Sequence, residues 1–254
     1  MLILCAVFVI DVLFLAFLAV RFPVPTSRGV IVVWERVLGT PSDDHFGYVA
    51  TDGENVYIAG GFCQDKWVLD VIIAKFDAHG NQIWQRVWGY DGDDVPGGIS
   101  VFNNTIFVAG CTYNSSTKNE DIFVLCMDPD GDILWVSTWD SGHNDLIIND
   151  YWSAYRSLYV CDRGIFVVGT MTSSMDSSII VLNFNFSGRL VWYTTWKTTH
   201  DVAGRSIFIY GGKIFVLGAS RGNNPHPILL VYHLNGSLIA VSYTHLTLPT
   251  TERV

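Results

Sequence analysis

The chain has 254 residues and a formal net charge of −9, with 50% hydrophobic and 15% charged residues. That length suits one domain, and an acidic balance with no basic run excludes a nucleic-acid surface. Five cysteines, one of them Cys5, make no C-x-x-C pair and no disulfide framework.

Residues 1–20 are apolar except for Asp11, and Arg21, Pro23 and Pro25 end the run. This length lies at the short edge of a membrane span and is long for a signal-peptide core. We read residues 1–22 as an export signal, either cleaved or kept as a membrane anchor. The alternative is a start codon placed too early. Arg21 and Arg28 follow the segment, which speaks weakly against export. The reading places the protein outside the cell or on its surface, with the membrane touched only through residues 1–20.

The stretch 30–38 carries Trp34-Glu-Arg-Val-Leu-Gly, which matches Trp84-Gln-Arg-Val-Trp-Gly further on. It is an outer strand with no partners before it, of the kind that completes the last blade of a ring.

From about residue 40 the chain repeats itself. The stretch FDAHGNQIW (76–84) recurs as MDPDGDILW (127–135), as FNFSGRLVW (184–192) and, degraded, as HLNGSLIA (233–240). A second marker keeps step: VYIAG (56–60), IFVAG (106–110), IFVVG (165–169) and IFVLG (214–218). Two independent markers in phase establish a true repeat. The units run over about 40–90, 91–141, 142–197 and 198–242.

In the first unit the pattern predicts strands over 47–51, 55–60, 71–76 and 82–88. Turn signals at Asp52-Gly53 and Gly80-Asn81 separate them. The third strand is nearly continuous in β-branched residues, as a strand buried on both faces should be. Trp84 and Trp88 are an even number apart, so they share one face, and Trp135/Trp139 and Trp192/Trp196 repeat this. Fifty residues, four strands and a Trp-bearing outer strand describe a β-propeller blade. The expected fold is therefore all-β, a propeller of four-stranded antiparallel blades behind one N-terminal apolar helix. A β-sandwich would not explain the period, and a β-helix would need a shorter one. The third unit is the longest, with its extra residues at 143–155, where repeat proteins place loops of a binding face.

Residues 241–254 break the pattern, and Ala240 stands where the fourth unit should carry its Trp. This tail, VSYTHLTLPTTERV, resembles a translated sequencing-adapter remnant. The expectation is that residues 243–254 are non-native and the visible repeats are part of a larger ring. The alternative is an ordinary degenerate last repeat.

The D/N-x-x-G-x-x-x-W motif after an apolar strand resembles the repeats of quinoprotein-like (PQQ-type) propellers. The G-x-x-x-D-D segment and the following I-Y-V-A-G-like strand resemble the SBBP and delta-60 propeller repeats more closely. The resemblance covers about 30–240 and speaks for architecture rather than activity. Quinoprotein dehydrogenases imply a metal-held quinone and adjacent cysteines. No Cys-Cys pair stands here, so no catalytic residue is carried over.

Candidate sites follow from the loops. The segments 61–70, 111–121, 170–178 and 219–227 read as long loops between second and third strands. They share an end of the propeller with the blade-to-blade loops, and long loops on a rigid scaffold tend to carry function. The blade-to-blade loops are acidic. Asp44, Asp94 and Asp145 fall ten residues after their Trp, and Asp201 nine after. A ring of carboxylates there is a candidate site for Ca²⁺ or a basic partner. Recurrence in every unit favours instead a turn-capping role, an Asp bonding backbone N–H groups. Asp128-Pro-Asp130-Gly-Asp132 opens like a Ca²⁺ loop but has Trp139 where the twelfth-position Glu belongs, and reads as a hairpin. No cofactor is otherwise implied. His45, His143 and His200 lie in separate loops without ligand spacing and read as solvated. Cys63 and Cys111 end equivalent strands, so a bridge between them is conceivable without being indicated.

Most of the nine tryptophans sit at repeated strand positions, where packing explains them. Trp67 and Trp152 escape that explanation and are candidates for stacking on a glycan or a protein partner. Asn103, Asn114, Asn185 and Asn235 open glycosylation sequons at turns, consistent with export. The expected role is an exported binding or scaffold module, monomeric if the ring is complete, that takes a protein or glycan on its acidic long-loop face. The alternative is a fragment of a propeller enzyme, quinone-dependent or glycan-active, with its catalytic residues in missing blades.

Overall fold

In the computed structural model the described residues are 32–39, 44–63, 68–147, 156–174, 176–221 and 225–243. The apolar leader and the tail after 243 lie outside them, as do Trp67 and Trp152. No helix among the described residues is long and apolar enough to cross a membrane.

The fold is an all-β propeller, and the described residues form four antiparallel blades. Blade I holds β1 (His45–Thr51), β2 (Val56–Cys63), β3 (Leu69–Phe76) and β4 (Gln82–Trp88). Blade II holds β5 (Asp94–Phe102), β6 (Thr105–Asn114), β7 (Asn119–Met127) and β8 (Ile133–Trp139). Blade III holds β9 (Asn144–Leu146), β10 (Leu158–Cys161), β11 (Gly164–Thr172), β12 (Ser177–Phe184) and β13 (Leu190–Trp196). Blade IV holds β14 (Val202–Tyr210), β15 (Lys213–Ser220), β16 (Pro227–His233) and β17 (Leu238–Tyr243). Blades I, II and IV run in sequence order from the first strand outward; in blade III the order is β10-β11-β12-β13, and β9 also pairs with β11.

The core lies between the blades. One cluster joins Tyr57 and Ile73 of blade I to Val108 and Phe123 of blade II. A second joins Val124 and Cys126 to Ile147, Leu158 and Ile180. A third joins Val168 and Val181 to Ile207, Val216 and Leu230. This is why the second and third strands read as unbroken apolar runs: each residue meets one neighbouring blade or the other.

The repeated motif closes the last hairpin of every blade. Asp77 Oδ1 accepts from the N–H groups of His79 and Asn81, and Asp128 Oδ1 from those of Asp130 and Asp132. Asn185 does the same for Ser187 and Arg189. The motif glycine follows at positive φ, and all four hairpins shift register at the same place. That glycine also leaves room for the preceding unit's tryptophan. A Cβ on Gly131 would stand 3.0 Å from the Trp84 ring, and one on Gly188 2.8 Å from that of Trp135. Trp84 Nε1 donates to Pro129 O at 2.9 Å, and Trp135 Nε1 to Phe186 O at 3.2 Å. The stretch 32–39 pairs in no sheet, yet Trp34 meets blade I in the same way. Its Nε1 donates to Ala78 O at 3.1 Å and its ring stacks on Phe76.

Three expectations need correcting. The second-to-third-strand connections are shorter than read. Pairing continues through Thr112↔Asp121, Tyr113↔Glu120 and Asn114↔Asn119, and through Met171↔Ser178 and Thr172↔Ser177. Polar residues hid these rungs, because cross-strand hydrogen bonds extend past the apolar core.

The third unit departs from four strands: its inner strand is divided into β9 and β10, and residues 148–155 between them lie outside the described residues. Blades I, II and IV each carry a register shift in the innermost strand, between His45/Gly47, Pro96/Gly98 and Gly204/Ser206. In blade III the inner strand is split at this place. Leu146 pairs with Thr170 and Leu158 with Val167, on either side of residues 148–155. Gly97 is required beside this break, since a Cβ there would lie 2.0 Å from Ile147 Cγ2. The inner strands bond to one another at the same level, Ser157 N to Gly97 O at 3.4 Å and Ile207 N to Arg156 O at 3.0 Å.

The third correction concerns Asp201. Its register partner is Asp93 rather than Asp94 or Asp145, and the bonds described next show why.

Candidate functional site at the acidic end

Two sets of acids occupy the end of the propeller where the blade-to-blade segments cross. The first set caps third strands. Asp93 Oδ1 accepts from Leu69 N at 3.0 Å, Asn144 Oδ1 from Glu120 N at 3.2 Å and Asp201 Oδ1 from Ser177 N at 3.0 Å. Each ties the start of one blade to the third strand of the blade before it.

The second set is buried. Asp94 and Asp145 are 0% exposed. Asp94 Oδ2 accepts from Tyr90 N at 2.6 Å, and Asp145 Oδ2 from Ser141 N at 2.7 Å, each closing a turn four residues back. Asp44 lies one unit earlier, and its Oδ1 accepts from Cys63 N at 3.3 Å. Val202 takes this place in blade IV, so the buried set stops there. Loss of hydration pushes the Asp94 carboxyl up to about 6, helped by the charges of Asp70 and Asp93. Burial likewise pushes Asp145 up to about 6, with Asp140 and Asp121 adding to the rise. Burial also raises Asp70, Glu120 and Asp121.

Between blades II and III these acids converge. Asp121, Asp140 and Asp145 each offer a carboxylate oxygen, and the three atoms lie within 4.8 Å of one another. Among the described residues this is the one such group of ligand-type side chains, and neither His143 nor His200 belongs to it. Asp128 spends its carboxylate on its own hairpin. The ion pairs among the described residues, Arg163–Asp162 and Lys197–Asp176, lie elsewhere. Sequence counting from the Trp positions reached Asp145, and Asp140 falls in the same acidic blade-to-blade segment, but Asp121 was missed and its convergence with the other two was not foreseen. The signal was present in the cross-strand pair Ile122↔Trp139, whose flanking residues are Asp121 and Asp140.

The remaining candidates are scattered. Cys63 and Cys111 are both buried and pack in one small cluster with Leu69 and Val95. Asn103 and Asn235 are exposed at turns, whereas Asn114 is half-buried and donates its amide nitrogen to Asp121 Oδ2 at 3.0 Å. A shallow cleft of about 240 Å³ between blades II and III is lined by Phe102, Phe107, Trp135 and Phe186 and holds none of the acids.

No family model matches the chain, and no curated protein matches it. Solved structures do. The subtype N10 neuraminidase-like protein of A/little yellow-shouldered bat/Guatemala/060/2010 superposes with a TM-score of 0.51 at 9% identity, over 79% of this chain. A thermostable family-43 glycoside hydrolase superposes with a TM-score of 0.50 at 11% identity, over 82% of this chain and 74% of its own. The chain spans 58% of the length of the neuraminidase-like protein. At such identities the likeness concerns the propeller fold alone.

Proposed function

We propose that the protein is an exported or surface-attached binding module that takes a basic protein partner at its acidic end. The observation that carries this reading is the run of acids at three successive blade junctions: Asp91, Asp93 and Asp94, then Asp121, Asp140 and Asp145, then Asp201. Of these, Asp91, Asp140 and Asp201 are exposed and can meet a partner, whereas Asp94, Asp121 and Asp145 are buried beneath. A surface of one sign steers and holds a partner of the other. The repeat's resemblance to SBBP-type propellers, the apolar leader and the sequons support placement outside the cell. The test is binding of an array of lysine- and arginine-rich peptides and of neutral glycans at physiological salt. Retention of basic peptides that is lost when Asp91, Asp140 and Asp201 are all changed to Asn is the expected result. Retention of neutral glycans alone would overturn it.

A second reading, a glycan-active propeller, is favoured by two carboxyls near 6, the range of a general acid at neutral pH. Burial weighs against it. Asp94 and Asp145 are fully covered and bonded to their own turns, out of a substrate's reach. Turnover of aryl glycosides by the chain, abolished in both Asp94→Asn and Asp145→Asn, would decide for the enzyme.

A further inference from the structure

Asp121, Asp140 and Asp145 have positions in the repeat, and the other junctions show what else those positions hold. The rungs Val71↔Trp88, Ile122↔Trp139 and Ile179↔Trp196 are equivalent. The positions flanking them are therefore equivalent too. Between blades I and II, Asp121 becomes Asp70 and Asp145 becomes Asp94, but Gly89 stands in place of Asp140. Between blades III and IV, Asp121 becomes Ser178 and Asp145 becomes Val202, and Lys197 stands in place of Asp140. The residue that bonds to Asp140, Asn119, becomes Asp176 there. Lys197 Nζ reaches Asp176 Oδ2 at 3.0 Å. One junction thus carries a cation of the protein's own, at the position where another carries a third carboxylate.

The carboxylates between blades II and III are held and aimed, yet incompletely satisfied. Asp140 Oδ1 accepts from Gly142 N at 2.6 Å and from Asn119 Nδ2 at 3.0 Å. Asn119 also donates to His143 O at 2.9 Å, which fixes the 140–143 turn. Asp145 takes both bonds Ser141 can give, from N at 2.7 Å and from Oγ at 2.8 Å. Asp121 is only 4% exposed. Its Oδ2 accepts from Asn114 Nδ2 at 3.0 Å, whereas its Oδ1 is buried without a hydrogen-bond partner. Such an oxygen is costly unless something positive meets it.

We propose that Asp121, Asp140 and Asp145 bind one calcium ion, which joins blade II to blade III. Three carboxylate oxygens within 4.8 Å of one another fit around a single ion, because twice a Ca–O distance is about 4.6–5.2 Å. An all-oxygen, anionic set selects a hard cation over a transition metal. The bonds from Gly142 and Asn119 fill both lone pairs of Asp140 Oδ1 and leave its Oδ2 for the ion, whereas each Asp145 oxygen takes one bond from Ser141 and keeps a lone pair. The ion supplies at this junction what Lys197 supplies at the next. Exposed Asp140 gives it a way in from solvent. This site stands on its own geometry and does not depend on a basic partner.

The test is the thermal midpoint of the whole chain, stripped with EGTA and then titrated with CaCl₂ or MgCl₂ to about 10 mM, above the range of extracellular calcium modules. Calcium is expected to raise the midpoint by several degrees in a saturable way, and magnesium much less. Asp140→Asn should weaken calcium at least ten-fold while leaving the metal-free midpoint close to that of the parent. Asp121→Asn should also lose the calcium response, and Asp70→Asn should keep it. No rise in the parent chain, or a rise that survives Asp140→Asn intact, overturns the site. An equal rise with magnesium overturns the choice of calcium.

Discussion

Asp94 and Asp145 make the metal-free protein sensitive to pH in an unusual direction. Their folded pKa of about 6 lies above the ordinary value of 3.8. A group raised on folding adds stability that is fully present below its unfolded pKa and is lost as pH rises through the folded one. Each shift is worth on the order of 3 kcal/mol. Asp52 shifts the other way. Bonds from the Asn55 and Glu54 N–H groups and the Tyr57 hydroxyl outweigh its partial burial and hold it low. Its contribution fades only below its ordinary pKa, outside this window. In EGTA, calorimetry should show a midpoint that rises as pH falls from 7.5 to about 5, and Asp94→Asn should flatten part of that slope. A midpoint that falls over the same range would contradict the burial argument. The hairpin aspartates were readable from their motif, since Asp or Asn before x-x-Gly is a turn with a mechanism. Burial of Asp94 was not, because its neighbours Asp70 and Thr112 stand on other strands and no local pattern announces them.

At the scale of elements, the outer strand grips the next hairpin. Its tryptophan covers the glycine and bonds a carbonyl, and two residues on a second donor follows. Arg86 Nε reaches Gly131 O at 3.1 Å and Ser137 Oγ reaches Gly188 O at 2.7 Å. Trp135→Phe keeps most of the ring contact and loses the bond to Phe186 O, a cost of about 1 kcal/mol. Trp135→Ala loses the contact as well and should cost about 3 kcal/mol. Urea unfolding separates the two, and equal losses would mean that the indole N–H alone holds the joint. The parity of the tryptophans predicted a shared face, and the structure adds what that face meets. The longer reach of β6, β7, β11 and β12 was hidden by Thr, Asn, Ser and Glu, residues that suit an extended rung only when a partner strand is present.

At the scale of the molecule, the blades differ in how fully they are covered. Val168 and Val181 of blade III are 0% exposed, whereas their counterparts in blade IV, Leu217 and Leu229, are 48% and 38% exposed. Val181→Ala should therefore cost roughly 2 kcal/mol, and Leu229→Ala no more than about 0.5 kcal/mol. Comparable losses in denaturant would show that blade IV is covered in solution. The repeat predicted which residues face a neighbouring blade, but not how fully each blade is covered. It placed the third unit's extra residues at 143–155, but did not predict that the inner strand would divide into β9 and β10 around them. A bulge is a rung already missing, and the ladder on either side of it is already sound. In the third unit the inner strand is divided at the equivalent place, and β9 and β10 still pair with β11 on either side. The register shifts at 45/47, 96/98 and 204/206 are then three further grafting ports. A foreign peptide spliced into any of them would be displayed at the axis of the propeller, with both flanks still anchored.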